Sequence, residues 1–253
     1  QAIFKENRIR GLLFKWHSTS QISGSDIDIL VSKENFATVV SAFQAKGYSI
    51  EKTGREHKEA HLIHPHRNTH IDLHFLFAYP HFRGLTAYDI SLLEKISLKC
   101  LEANSAVHFG LSYPSVEWFM IMKIAGYWYN DLLTGLGSLH ALMTVCHQHK
   151  DVIDWNKFLA LVESLSIKHE VLFVLALSSR LFEVELPARV TQAIPAHVKF
   201  LADIQKVEDI VVFPSMQSWN HSRYLRDSEI RFLRFLLLKL LLHQHLPWPQ
   251  LVE

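Results

Sequence analysis

The chain has 253 residues, 49% of them hydrophobic, with 26 lysines and arginines against 25 aspartates and glutamates. That is enough apolar material for one large or two ordinary cores, while a formal charge of +1 excludes the strongly basic surface of a general nucleic-acid binder. Two cysteines, Cys100 and Cys146, exclude a disulfide scaffold, and the opening Gln1-Ala2-Ile3-Phe4-Lys5-Glu6-Asn7 lacks the apolar core of a secretory signal, so a cytoplasmic location is expected.

Ile9 to Trp16 reads as a first strand and Ile27 to Ser32 as a second. Between them, Ser23-Gly24-Ser25-Asp26 is a turn-forming run that by itself needs to be no more than a loop entering a strand. In a strand, however, Asp26 and Asp28 share one face while Ile27 and Ile29 turn inward. Two like charges held side by side want a cation, and Mg²⁺ (or Mn²⁺) suits them better than zinc, being held by one or two carboxylates together with substrate phosphates. Asn35 to Lys46 follows as a helix with Phe36, Val39, Val40 and Phe43 on one face, stopped by Gly47.

Tyr48 to Thr53, His61 to His64 and His70 to Phe77 read as further strands, so residues 8 to 80 make a compact α/β unit with mixed pairing. In the last of them His70, Asp72 and His74 share a face opposite Ile71, Leu73 and Phe75. Asp72 is thus the candidate third carboxylate, and Asp26, Asp28 and Asp72 together suffice for two cations serving the attacking and leaving oxygens of an in-line displacement. His57, His61, His64, His66, His70 and His74 crowd the same segment without any zinc-ligand spacing. With Pro65 and Arg67-Asn68 forming a turn, His64 and His66 are expected to be exposed at its tip.

Beyond Pro80 the pattern changes to apolar helices over Ile90 to Ala103, Val116 to Asn130, Ser138 to His149, Trp155 to Ser164 and Glu170 to Phe182, with Asp154 as an N-cap and Pro187 and Pro195 as punctuation. The expected class is α+β: a small mixed β-sheet core with flanking helices over residues 1-85, followed by an all-α helical region over residues 86-253. Ile230 to Leu242 is very apolar but too short, and interrupted by Arg234 and Lys239, to span a membrane. It is expected to be a packed C-terminal helix or a dimer contact rather than an interfacial membrane helix.

The run Gly24-Ser25-Asp26-Ile27-Asp28-Ile29-Leu30-Val31, the helix ending at Gly47-Tyr48, Ile71-Asp72-Leu73-His74 and Leu111-Ser112-Tyr113-Pro114-Ser115-Val116-Glu117 resemble the uncharacterised bacterial nucleotidyltransferase family of the DNA-polymerase-β-like nucleotidyltransferase superfamily. The resemblance implies a nucleotidyltransferase-like core, with the helical region closing a cleft over it. It also implies Mg²⁺ (or Mn²⁺) held by Asp26, Asp28 and Asp72, and transfer of NMP from an NTP to a hydroxyl acceptor, with Asp72 doubling as the base. It places Lys15, Ser18, Gly24 and Ser25 at the nucleotide phosphates and Lys123 within reach of one, although an exposed structural lysine is the plainer reading of the last. His74 would orient Asp72 or contact substrate.

The sequence departs from the family where the phosphates would lie. Lys15-Trp16-His17-Ser18 puts tryptophan where the family has the glycine that lets backbone N–H groups approach a phosphate, and the arginine that usually precedes the aspartates is missing. Either His17, Ser18 and Ser20 cradle the phosphates differently or nucleotide binding is lost. The loss would leave a binding or regulatory module on the same fold, and a metal-dependent phosphohydrolase using the same carboxylates is a further alternative.

Overall fold

The computed structural model describes residues 1–14, 26–54, 59–64, 66, 69–77, 87–104, 110–129 and 136–204. Lys15, Trp16, His17, Ser18, Ser20, Gly24, Ser25 and the apolar segment 230–242 lie outside the described residues. The chain forms two compact units, one from residues 1–79 and 85–122 and the other from 80–84 and 123–253. The fold is α+β, as expected, with a mixed sheet and flanking helices followed by helices alone.

In the first unit, helix α1 (Ala2–Glu6) leads into strand β1 (Arg10–Leu13), then β2 (Asp26–Leu30), α2 (Lys33–Ala45), β3 (Ser49–Gly54), β4 (Glu59–His64), β5 (Thr69–His74), α3 (Ala87–Asn104) and β6 (Gly110–Ser112). The strand order is β3-β4-β5-β2-β1-β6. β2 runs parallel to β5 and β1 parallel to β6, while the remaining neighbours are antiparallel.

One face of this sheet is apolar for the reason its sequence alternates: Ile29, Ile71, Leu73, Ala60 and Leu62 are buried in one cluster with Val39 and Phe43 of α2 and Ile3 and Phe4 of α1. The polar members of the same strands are thereby left to the opposite face. Helix α2 ends as expected, with Gly47 at φ 88°, a backbone state that costs glycine nothing.

Element bounds shift by one to a few residues from the sequence reading, and three of the differences have a visible local cause. Strand β1 begins at Arg10, not Ile9, because the Ile9 N–H donates to Phe4 O (2.8 Å) to close α1. Strand β5 stops at His74 because the chain then bends, and Phe77 N–H donates to Ser97 Oγ on α3 (3.3 Å). The third is β6, three residues pairing in parallel with β1, too short to show a periodicity.

At Gly11 in β1 an added Cβ would lie 2.6 Å from Phe4 Cε1 and 2.8 Å from Leu111 Cδ2. A Gly11→Ala change is therefore expected to destabilise the chain by about 1–3 kcal/mol through overpacking, measurable as a lower urea midpoint. An unchanged midpoint would mean that Phe4 and Leu111 yield freely.

Helix α4 (Val116–Tyr129) carries the chain past residue 122, and the second unit continues with α5 (Leu136–Gln148), α6 (Trp155–Ser164), α7 (Lys168–Phe182), α8 (Ala188–Ala193) and α9 (Ala196–Ile204). Helix α7 is its axis, burying Val171, Leu172, Phe173, Val174, Leu175 and Leu177. Pro187 and Pro195 each immediately precede a helix, so these prolines start α8 and α9 where the sequence reading took them as punctuation.

Asp154 caps α6 as expected, its Oδ1 accepting from Asn156 N–H and Lys157 N–H, both at 3.0 Å. Asp154→Ala should cost about 1 kcal/mol of unfolding free energy, and a chemical-denaturation curve unmoved by it would contradict the capping role.

Neither cysteine is in a disulfide, and both are buried. Burial pushes the Cys146 thiol up to about 12, so little nucleophilic thiolate forms there near neutral pH. The native chain is expected to be silent to a disulfide-exchange reagent at pH 8 and to titrate both thiols once unfolded; a thiol reacting within seconds in the native state would overturn this. No helix among the described residues is long and apolar enough to cross a membrane.

Candidate active site

The polar face of the sheet concentrates its ionisable groups on three adjacent strands. Parallel pairing sets Asp28 on β2 directly opposite Asp72 on β5. On the other side of β5, antiparallel β4 sets His61 opposite Asp72 and Glu59 opposite His74. The i, i+2 pairs Glu59/His61 and Asp72/His74 thus share one face by simple alternation.

These positions produce direct contacts. His74 Nε2 hydrogen-bonds Asp28 Oδ1 at 3.1 Å, and His61 Nδ1 hydrogen-bonds Asp72 Oδ1 at 2.7 Å. Glu59 lies behind both histidines, with Oε1 3.1 Å from His61 Nε2 and Oε2 3.5 Å from His74 Nδ1. Asp28 and His74 are buried, at 5% and 3% exposure, and the Phe14 ring stands edge-on to His74 at 5.1 Å between centroids. Asp72, His61 and Glu59 are partly exposed.

Carboxylates placed this close repel one another unless positive charge lies among them. His61 answers part of that demand. Burial acts to lower the His61 pKa, but the hydrogen bond to Asp72 and the charges of Asp72 and Glu59 outweigh it, and the pKa is raised above the ordinary histidine value. The charged ring, which donates from both nitrogens, is thereby favoured.

The donor set also fits a divalent cation. One carboxylate oxygen each from Asp28 and Asp72 and one nitrogen of His74 all lie within 4.8 Å of one another, spacing that suits ligands of a single ion with bonds of about 2.0–2.2 Å.

The same chain is matched over residues 23–183 by the model of a family described as uncharacterised nucleotidyltransferases. The chain belongs to this nucleotidyltransferase family. No curated protein and no solved structure gives a significant match. The matched range spans β2 to α7 and so includes Asp26, Asp28 and Asp72. Family membership supports a nucleotidyltransferase activity, and enzymes of this kind generally work with divalent metal.

Measured against the sequence reading of this nucleotidyltransferase-family chain, Asp28 and Asp72 are brought together. Asp26 is placed by its backbone alone, at the register position opposite His70. Lys15, Ser18, Gly24 and Ser25 lie outside the described residues. His74 hydrogen-bonds Asp28, and it is His61 that does so for Asp72. His64, expected to be exposed, is half-buried with its ring edge-on to Tyr48 at 4.9 Å, while His66 is exposed.

Glu59 and the part played by His61 were not read from the sequence. A faint signal exists in Glu59-x-His61 preceding Asp72-x-His74, two same-face pairs on neighbouring strands. Converting it into a contact requires the β4–β5 register, which residue spacing does not supply.

Proposed function

We propose that the chain is an Mg²⁺-dependent (or Mn²⁺-dependent) nucleotidyltransferase that transfers NMP from an NTP to a hydroxyl acceptor and releases pyrophosphate. The observation that carries this reading is the Asp28–Asp72 pair, side by side on parallel strands in a chain of a family described as uncharacterised nucleotidyltransferases. Asp26, Asp28 and Asp72 would hold the metal, which when bound neutralises charge on the phosphate oxygens.

The remaining work falls to the chain's own groups. Asp72, the more exposed of the two described carboxylates, takes the proton of the attacking hydroxyl as its oxygen bonds to the α-phosphorus and the bond to pyrophosphate breaks. His74 and His61 keep Asp28 and Asp72 aimed at the same space. Phe14 covers His74 and withholds water from the deeper half of the site. Lys15, Ser18, Gly24 and Ser25 are the groups proposed to meet the triphosphate.

Thermal shift with each NTP, with and without Mg²⁺ or Mn²⁺, tests binding, since a ligand at a hundred times its dissociation constant raises stability by about 2.7 kcal/mol. Stabilisation that needs both nucleotide and metal, followed by pyrophosphate release and by label passing from an α-labelled NTP to an acceptor, is the expected result. Indifference to every NTP would favour a regulatory module. Release of inorganic phosphate without transfer of label would favour a phosphohydrolase.

A further inference from the structure

Glu59 has no part in the reaction above, yet its two oxygens divide between the two histidines that hold Asp28 and Asp72. One arm runs Glu59 Oε1 to His61 Nε2 (3.1 Å) and His61 Nδ1 to Asp72 Oδ1 (2.7 Å). The other runs Glu59 Oε2 to His74 Nδ1 (3.5 Å) and His74 Nε2 to Asp28 Oδ1 (3.1 Å). We propose that Glu59 is the positioning residue of the site, a single carboxylate that fixes Asp72 through His61 and Asp28 through His74 in the orientation a divalent cation requires.

The proposal rests on the metal-binding reading given above and extends it to a residue outside the ligand set. An imidazole is rigid, so a ring held at both nitrogens can neither flip nor swing, and the carboxylate on its far side is held with it. In this sheet the rear nitrogens of both rings face the same side chain, His61 in a 3.1 Å hydrogen bond and His74 at the longer distance of 3.5 Å. The register brings these groups together, because Glu59 faces His74 across β4–β5 while His61, two residues on, faces Asp72. Glu59 lies outside the Asp28, Asp72 and His74 group that converges within 4.8 Å, so its influence on a bound ion passes through the histidines.

Mn²⁺ binding to the full chain without nucleotide, followed by the electron paramagnetic resonance of the free ion, provides the test. The parent is compared with Glu59→Ala, Glu59→Gln, His61→Ala and the Glu59→Ala/His61→Ala double variant, with a melting curve for each. The parent is expected to bind Mn²⁺ and Glu59→Ala to bind it about 10- to 100-fold more weakly. Glu59→Gln, which keeps the shape and one acceptor oxygen, should fall between them. The double variant should lose less than the sum of the single effects, because both changes cut the same arm.

A residue that merely stitched β4 to β5 would lower the melting temperature and leave the Mn²⁺ affinity of the folded chain alone. Equal affinity in the parent and in Glu59→Gln and Glu59→Ala, or strict additivity with His61→Ala, overturns the proposal and leaves the metal site standing. A parent that binds no Mn²⁺ overturns the metal reading itself, and this inference with it.

Discussion

Asp28→Asn is expected to lower nucleotidyl transfer by at least ~10³-fold, the scale on which one preorganised electrostatic contact in an active site operates, while leaving the melting temperature within a few degrees of the parent. The asymmetry follows from where Asp28 sits. Asparagine has the same shape, and its amide oxygen can still accept from His74 Nε2, now 3.1 Å from Asp28 Oδ1, so the buried ring keeps that partner. What disappears is one negative charge among Asp72, Glu59 and Asp28, and with it an anionic ligand for metal.

Asp28→Ala is a poorer experiment, because it also takes that acceptor from a buried ring, a loss worth about 1–3 kcal/mol by itself. The measurement is label transfer or pyrophosphate release at saturating NTP and metal, with melting curves in parallel. An Asp28→Asn chain as active as its parent would remove Asp28 from the reaction.

The largest stability effect is expected from Phe173→Ala in α7. Phe173 is fully buried, and its ring meets Trp128 edge-on at 5.9 Å between centroids and 78° between planes, an arrangement that adds to the burial itself. Truncation should cost about 3–5 kcal/mol, a fall in melting temperature on the order of 10 °C for a chain of this size. Val152→Ala, at a position 70% exposed, should change stability by less than about 0.5 kcal/mol. Equal effects from the two changes would mean that the α7 core is not packed as described.

The contrast between these sites and the regions misread from sequence is physical. Alternation in a strand needs only local geometry, so the shared face of Asp72 and His74, the inward Ile27 and Ile29, and the apolar face of α2 were all legible from spacing. That β2 and β5 are neighbours, with Asp28 opposite Asp72, was suggested by what a metal site would need and by likeness to a family, since nothing in the run of residues encodes which strands pair.

The histidine contacts were out of reach of spacing for the same reason. His74 was expected to orient Asp72 or contact substrate, and its diagonal hydrogen bond to Asp28 across β2–β5 depends on register and twist. His61 looked like one of six clustered histidines until β4 placed it opposite Asp72. Short elements escaped as well: β6 has too few residues to show a period, and prolines mark a helix start as readily as a break.

The pairing of β1 has a consequence for how the chain is made. Among the described residues, Arg10, Gly11 and Leu12 find their outer neighbours in Gly110, Leu111 and Ser112. On the ribosome, that flank of the nascent sheet therefore stays open until a long stretch of later sequence has emerged, and closing so distant a contact is entropically slow. A fragment cut after residue 80 would carry both aspartate strands and still present a bare backbone edge to its neighbours, which favours intermolecular pairing over a monomer.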